Sequence, residues 1–218
     1  MQAIERHVET LDWITIIFMV SLALLATVRS LYPQRFEEFA SLLNSNKFMV
    51  FKGKENKAFH PFNILMFIVN VLAVSTFLYL LYTFFIEAKP PKPLVVFIRI
   101  LTAYMGFVLV KFGIDKIISN IFEFDAQMDY YLFQKLSHRN FISIGILVAA
   151  ALLIYSLEPT RILIYGLIIT ILLANLISLF VIYKQNQNTI VSNWFYFILY
   201  LCALEIAPYI ILYKLFTI

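Results

Sequence analysis

An all-α polytopic bundle of about six transmembrane helices is the architecture predicted for this chain, and three features of its 218 residues predict it. Hydrophobic residues make up 62% and charged residues 14%, whereas a soluble domain is nearer half apolar and about a quarter charged. The mean hydropathy is +0.85. The charges gather between apolar runs, and each run approaches or exceeds the roughly 20 residues needed to cross a hydrocarbon layer about 30 Å thick. These features predict a single integral membrane domain, 1–218, with no soluble domain.

The first span is expected over 11–28, with Trp13 at one interface and Arg29 at the other, as interfacial aromatic and basic residues prefer. Arg6 is outweighed by Glu5, Glu9 and Asp12, whereas a cleaved signal peptide begins positive. The span is therefore expected to be a retained anchor. The stretch 30–58 is too polar to cross. Within it Phe36, Phe39, Leu42 and Leu43 share one helical face while Glu37 and Glu38 fall off it, which predicts a short interfacial helix between spans 1 and 2. Lys47, Lys52, Lys54 and Lys57 then surround Phe48-Met49-Val50-Phe51. Such a basic and aromatic loop contacts anionic lipid in the plainer reading and a protein partner in the other.

The second span is expected over 61–86, begun by Pro61 at a first-turn position where proline is tolerated. Asn70 lies inside it and reads as a cross-link between helices ahead of a substrate contact. EAKPPKP, 87–93, forms a stiff turn into the third span, 94–114, with continuation expected toward Phe124. Arg99 and Lys111 lie in this span and can snorkel to their nearer interfaces. Lys111 and Asp115, four residues apart, can pair. A second polar connector is expected over 123–140, followed by a fourth span at 141–157. Glu158-Pro159-Thr160 is a tight hairpin into the fifth span, 161–183, which contains Asn175 and Ser178.

The sixth span, 194–214, holds the most conspicuous group, Glu205. About 11 residues separate it from Trp194, so it lies roughly 16 Å into the layer, near the midplane. An ionised carboxylate there costs on the order of 3 kcal/mol, so the group must be protonated, paired or in contact with water. Pro208 has no N–H and leaves the Leu204 carbonyl without its helical partner. A structural clasp is the plainer reading; a proton or ion relay is the sharper one. By depth, Arg99 is the expected partner of Glu205 if the third and sixth spans are neighbours.

Ten lysines and arginines fall in the first, third and fifth connections, among them Lys116, Lys135 and Arg139, against five on the other face. The positive-inside rule then puts those connections in the cytoplasm and both termini outside. The net charge of +4 reflects these loops, and no nucleic-acid partner is expected.

Catalytic and cofactor motifs do not emerge. His7, His60 and His138 have no metal-ligand spacing, and Cys202 is the single cysteine. Neither a zinc HExxH motif nor a Gly-rich phosphate loop occurs. No metal and no cofactor are expected. The function expected is that of a non-enzymatic subunit or scaffold among other membrane proteins. A small proton-coupled carrier or channel centred on Glu205 is the alternative, and a lipid-modifying enzyme the third.

Two stretches carry a resemblance. YYLFQKLSHRNF, 130–141, and 199–214 with its YLCALEIAP core resemble a family of integral membrane proteins of Bacteroidota described as a domain of unknown function. The resemblance covers most of the chain. It implies a many-span helical fold in the inner membrane of a Gram-negative cell and supplies no activity. It raises Glu205, Pro208, Lys135 and Asn140 as positions of interest without giving them roles.

Overall fold

The structure, a computed structural model, describes residues 12–40, 60–86, 92–121, 125–157 and 159–185. Lys47, Lys52, Lys54, Lys57, Glu205, Pro208 and the apolar run 194–214 lie outside the described residues, and so does the pairing of Arg99 with Glu205. The described residues form six helices and no strand: α1 (Asp12–Leu31), α2 (Pro33–Ala40), α3 (Pro61–Ile86), α4 (Pro93–Ile121), α5 (Asp125–Tyr155) and α6 (Arg161–Gln185). All but α2 are long and apolar enough to cross a membrane.

Local signals set the helix ends. Asp12 in the first turn of α1 and Arg29 in its last turn oppose the macrodipole at each end. Pro33, Pro61 and Pro93 each open a helix, where the missing N–H costs no helical bond. The His60 carbonyl accepts from Asn63 N–H at 2.8 Å, and its Nδ1 accepts from Phe62 N–H at 3.2 Å, capping α3. Thr160 Oγ1 accepts from Leu163 N–H at 3.4 Å and caps α6 in the same manner.

The bundle is built around α3. Half of its apolar stretch is buried, against 6% for α6, so among the described helices α3 is the central pillar and α6 a peripheral one. Ile14, Phe18, Ser21 and Val28 form one buried stripe of α1. At one end Val28 joins Phe62 and Met66, and at the other Trp13 meets Tyr79 edge-on with ring centroids 5.2 Å apart. Those contacts make α1 and α3 antiparallel. Phe97, near the start of α4, lies 6.2 Å from Tyr79 near the end of α3, so α4 is antiparallel too. α5 runs parallel to α3, with Phe77 packed against Ile146 and Leu153. α6 returns antiparallel, placing Tyr165 5.9 Å from Phe85. The chain therefore leaves α1, α4 and α6 on one face of the bundle and enters α1, α4 and α6 on the other.

Two expectations are revised. The first part of the short amphipathic helix is α2, and Phe39 on its apolar face is turned to protein, while Leu42 and Leu43 lie outside the described residues. Phe39 is 1% exposed and sits 5.8 Å from both Phe62 and Phe141. Burying such a ring contributes about 2–3 kcal/mol, which clamps α2 over the start of α3. Nor is 123–140 a plain connector. Asp125–Tyr155 is one continuous helix whose apolar stretch starts at Tyr131, so Lys135, Arg139 and Asn140 lie within it. Lys116 is likewise on α4. The reason is geometric: Gln134, Ser137, Asn140 and Ser143 recur every three residues and all are buried. A hydropathy average scores them as loop, while the helix turns them inward.

Candidate functional site

Asn70 is the centre of a buried polar seam between α3, α4 and α5. Its side chain is 0% exposed. The amide Nδ2 donates to the Arg139 carbonyl at 3.2 Å, and Oδ1 accepts from the Tyr104 hydroxyl at 3.2 Å. One carboxamide thus uses a donor and an acceptor to tie two helices to a third. This pairing is what an amide inside an apolar bundle requires, because each buried group left unmet costs about 1–3 kcal/mol.

The inward stripe of α5 extends the seam. Ser137 Oγ donates to the Phe133 carbonyl at 2.8 Å, and Ser143 Oγ to the Asn140 carbonyl at 2.7 Å. His138 Nδ1 meets the Gln134 carbonyl at 3.0 Å. These hydroxyls fold back on their own helix and leave α5 smooth enough to pack closely. Asn140 differs. Its Oδ1 is buried with no hydrogen-bond partner among the described residues, as are Asn63 Nδ2 and Ser75 Oγ on α3.

Cations flank the seam through aromatic faces. The Arg139 guanidinium lies 5.9 Å from the centroid of the Phe67 ring, and the Lys135 ammonium 5.9 Å from that of Tyr131, distances at which a cation is drawn to the ring quadrupole. His60, at the cap of α3, stacks edge-on to Tyr32 at 5.4 Å. Burial, with the positive charge of Arg35 second, holds its imidazole below the usual histidine range.

The remaining predicted residues disperse. Arg99 is exposed on α4. Asn175 Nδ2 donates to the Ile171 carbonyl at 2.8 Å, one turn back on α6, so its amide bonds within its own helix. Asn70 and Asn140 belong to the seam, and Lys135 is half-buried on the same helix as Asn140. Sequence reasoning missed Tyr104, Gln134, Ser137 and Ser143, and it counted Arg139 as a loop charge. The three-residue recurrence along α5 was the signal that exposes the last group; nothing in the sequence marks Tyr104.

Chemically the seam offers neutral amides and hydroxyls beside the Arg139 and Lys135 cations. It can hold helices in register and can bind water. Among the described residues no group of three or more His, Cys, Asp or Glu is placed to hold a metal ion.

Residues 14–216 match the family described as Domain of unknown function (DUF4271). Among curated proteins and solved structures, none matches the chain.

Proposed function

The chain belongs to the DUF4271 family, and from that premise we propose that it is a multi-pass inner-membrane protein acting as a non-enzymatic subunit or scaffold of a larger envelope assembly in a Gram-negative cell of the Bacteroidota. The observation that carries this reading is the contrast between α3 and α6. Asn70 locks α3, α4 and α5 together, while α6 presents a broad apolar face with Ile162 87%, Phe180 68% and Ile177 63% exposed. An apolar face of that extent does not face water in a soluble monomer; a bilayer or an adjoining membrane protein accounts for it. In this reading α2 lies at the cytoplasmic interface and the termini are periplasmic. Lys116, Lys135 and Arg139 now fall on helices, so the charge bias rests chiefly on the first connection.

The test is a mild-detergent purification with a photo-crosslinking residue at Leu176, which is 61% exposed on α6. A recurrent, stoichiometric set of membrane-protein adducts is the expected result. Adducts to lipid alone would remove the subunit reading. Release of the chain from membranes by alkaline carbonate would remove membrane insertion itself.

A second reading, a small proton-coupled carrier or channel, draws on Asn63 Nδ2 and Asn140 Oδ1, buried without a hydrogen-bond partner among the described residues. Water threading the seam would satisfy both atoms. Proton flux into proteoliposomes that Asn140→Leu abolishes would select this reading.

A further inference from the structure

At the end of the bundle opposite the α2 clamp, a cavity of about 520 Å³ opens between the last turns of α3 and α5 and the first turn of α6. Leu80, Phe84, Leu153 and Ile164 form its apolar walls, and Thr83 and Arg161 its polar edge. We propose that this cavity is a binding site for one anionic phospholipid, with an acyl chain against the four apolar walls and the phosphate at Arg161.

The placement argues for an amphiphile. Thr83 stands three residues before the end of α3, Leu153 two before the end of α5, and Arg161 is the first residue of α6. All three lie at one level of the bundle, so the cavity grades from apolar to cationic across that level. Under the membrane reading, on which this inference rests, that level is where hydrocarbon gives way to headgroups. The volume falls within the roughly 300–1,000 Å³ of small-molecule sites. Charge sets the headgroup: Arg161 is exposed and matches phosphate oxygens in fork geometry. The dipole of α6 adds to it, because the N-terminus of a helix favours an anion. Thr83 Oγ1 donates to the Leu80 carbonyl at 2.9 Å, so its proton is used on the helix and the phosphate contact falls to Arg161.

The experiment uses the full chain extracted from membranes, delipidated in mild detergent and titrated with phosphatidylglycerol or phosphatidylethanolamine of identical chains under native mass spectrometry. The first lipid bound should favour phosphatidylglycerol by about fivefold, the preference one surface cation confers. Arg161→Gln should remove the preference and leave chain binding, whereas Arg161→Lys should keep most of it. Thr83→Trp, which fills the cavity, should remove the first bound lipid of either kind. Equal binding of the two lipids by the wild type, a preference surviving Arg161→Gln, or a first lipid surviving Thr83→Trp would each overturn the site. A variant that loses wild-type helical content or elution volume is read through the Arg161→Lys and wild-type comparison, which involves neither change. Recovery of the wild-type chain in the carbonate-soluble fraction would instead overturn the membrane reading, whatever the lipid titration shows.

Discussion

Replacing Asn70 tests the junction that joins three helices. Asn70→Ala removes a donor to Arg139 and an acceptor for Tyr104, both at 3.2 Å. Hydrogen bonds between helices in an apolar bundle contribute about 0.6–1 kcal/mol each. Asn70 is fully buried, so truncation also leaves a void, and a total loss of about 2–3 kcal/mol is expected. Tyr104→Phe removes the hydroxyl bond to Asn70 and should cost about 0.6–1 kcal/mol. Because the two changes delete the same bond, the double variant should cost less than the sum by about that amount. Asn70→Leu refills the volume and should recover part of the loss, separating packing from hydrogen bonding. Reversible unfolding in mixed micelles, followed by helical circular dichroism, measures all four. Strictly additive losses, or an Asn70→Ala variant within about 0.3 kcal/mol of wild type, would refute the junction.

Phe39→Ala should cost about 3 kcal/mol, as other buried Phe truncations do, while Glu37→Ala, on the exposed side of α2, should change little; equal effects in a thermal-shift assay would mean that α2 is not clamped. His60 titrates below the ordinary histidine range in the folded chain, so the unfolded chain takes up the proton first. The stability tied to it is present above that range and is lost as pH falls from about 6.5 through the lowered value. His60 is only partly buried, so the loss should be small, and His60→Asn should flatten it; a midpoint that rises on acidification contradicts the burial argument. For orientation, in a Cys202→Ala background, an impermeant maleimide should label Thr160→Cys and spare Gln34→Cys in intact cells. The reverse pattern inverts the topology.

Helix existence was legible in the sequence because apolar length is a one-dimensional property. The bounds 61–86 coincide with α3, and a proline at the first helical position marks three starts. What the sequence hid is two-dimensional. Around α5 the polar residues at 134, 137, 140 and 143 are all buried, and averaging along the chain merges them with the half-buried residues between them, Lys135 and Arg139 included. The partners of Asn70 were hidden for another reason. They lie 34 and 69 residues away, and no local pattern tells which helices become neighbours. Amphipathicity did place Phe39 on the buried side of α2, but a one-sided helix looks the same whether its apolar face meets lipid or Phe62 and Phe141. Asn175 shows the converse: a polar residue inside an apolar run drew notice, and its amide donates to its own preceding turn.

The spacing of Asn70 from its partners also fixes an order of events during synthesis. Tyr104 follows it by 34 residues and Arg139 by 69. At about 5–20 residues per second, the amide waits roughly 3–14 s for its last partner to leave the ribosome. Throughout that interval the pillar exists before the helices that cover it, with one carboxamide still open. Whatever shelters a nascent apolar helix must hold α3 for those seconds, and it can let go once α5 has been made and the amide is closed.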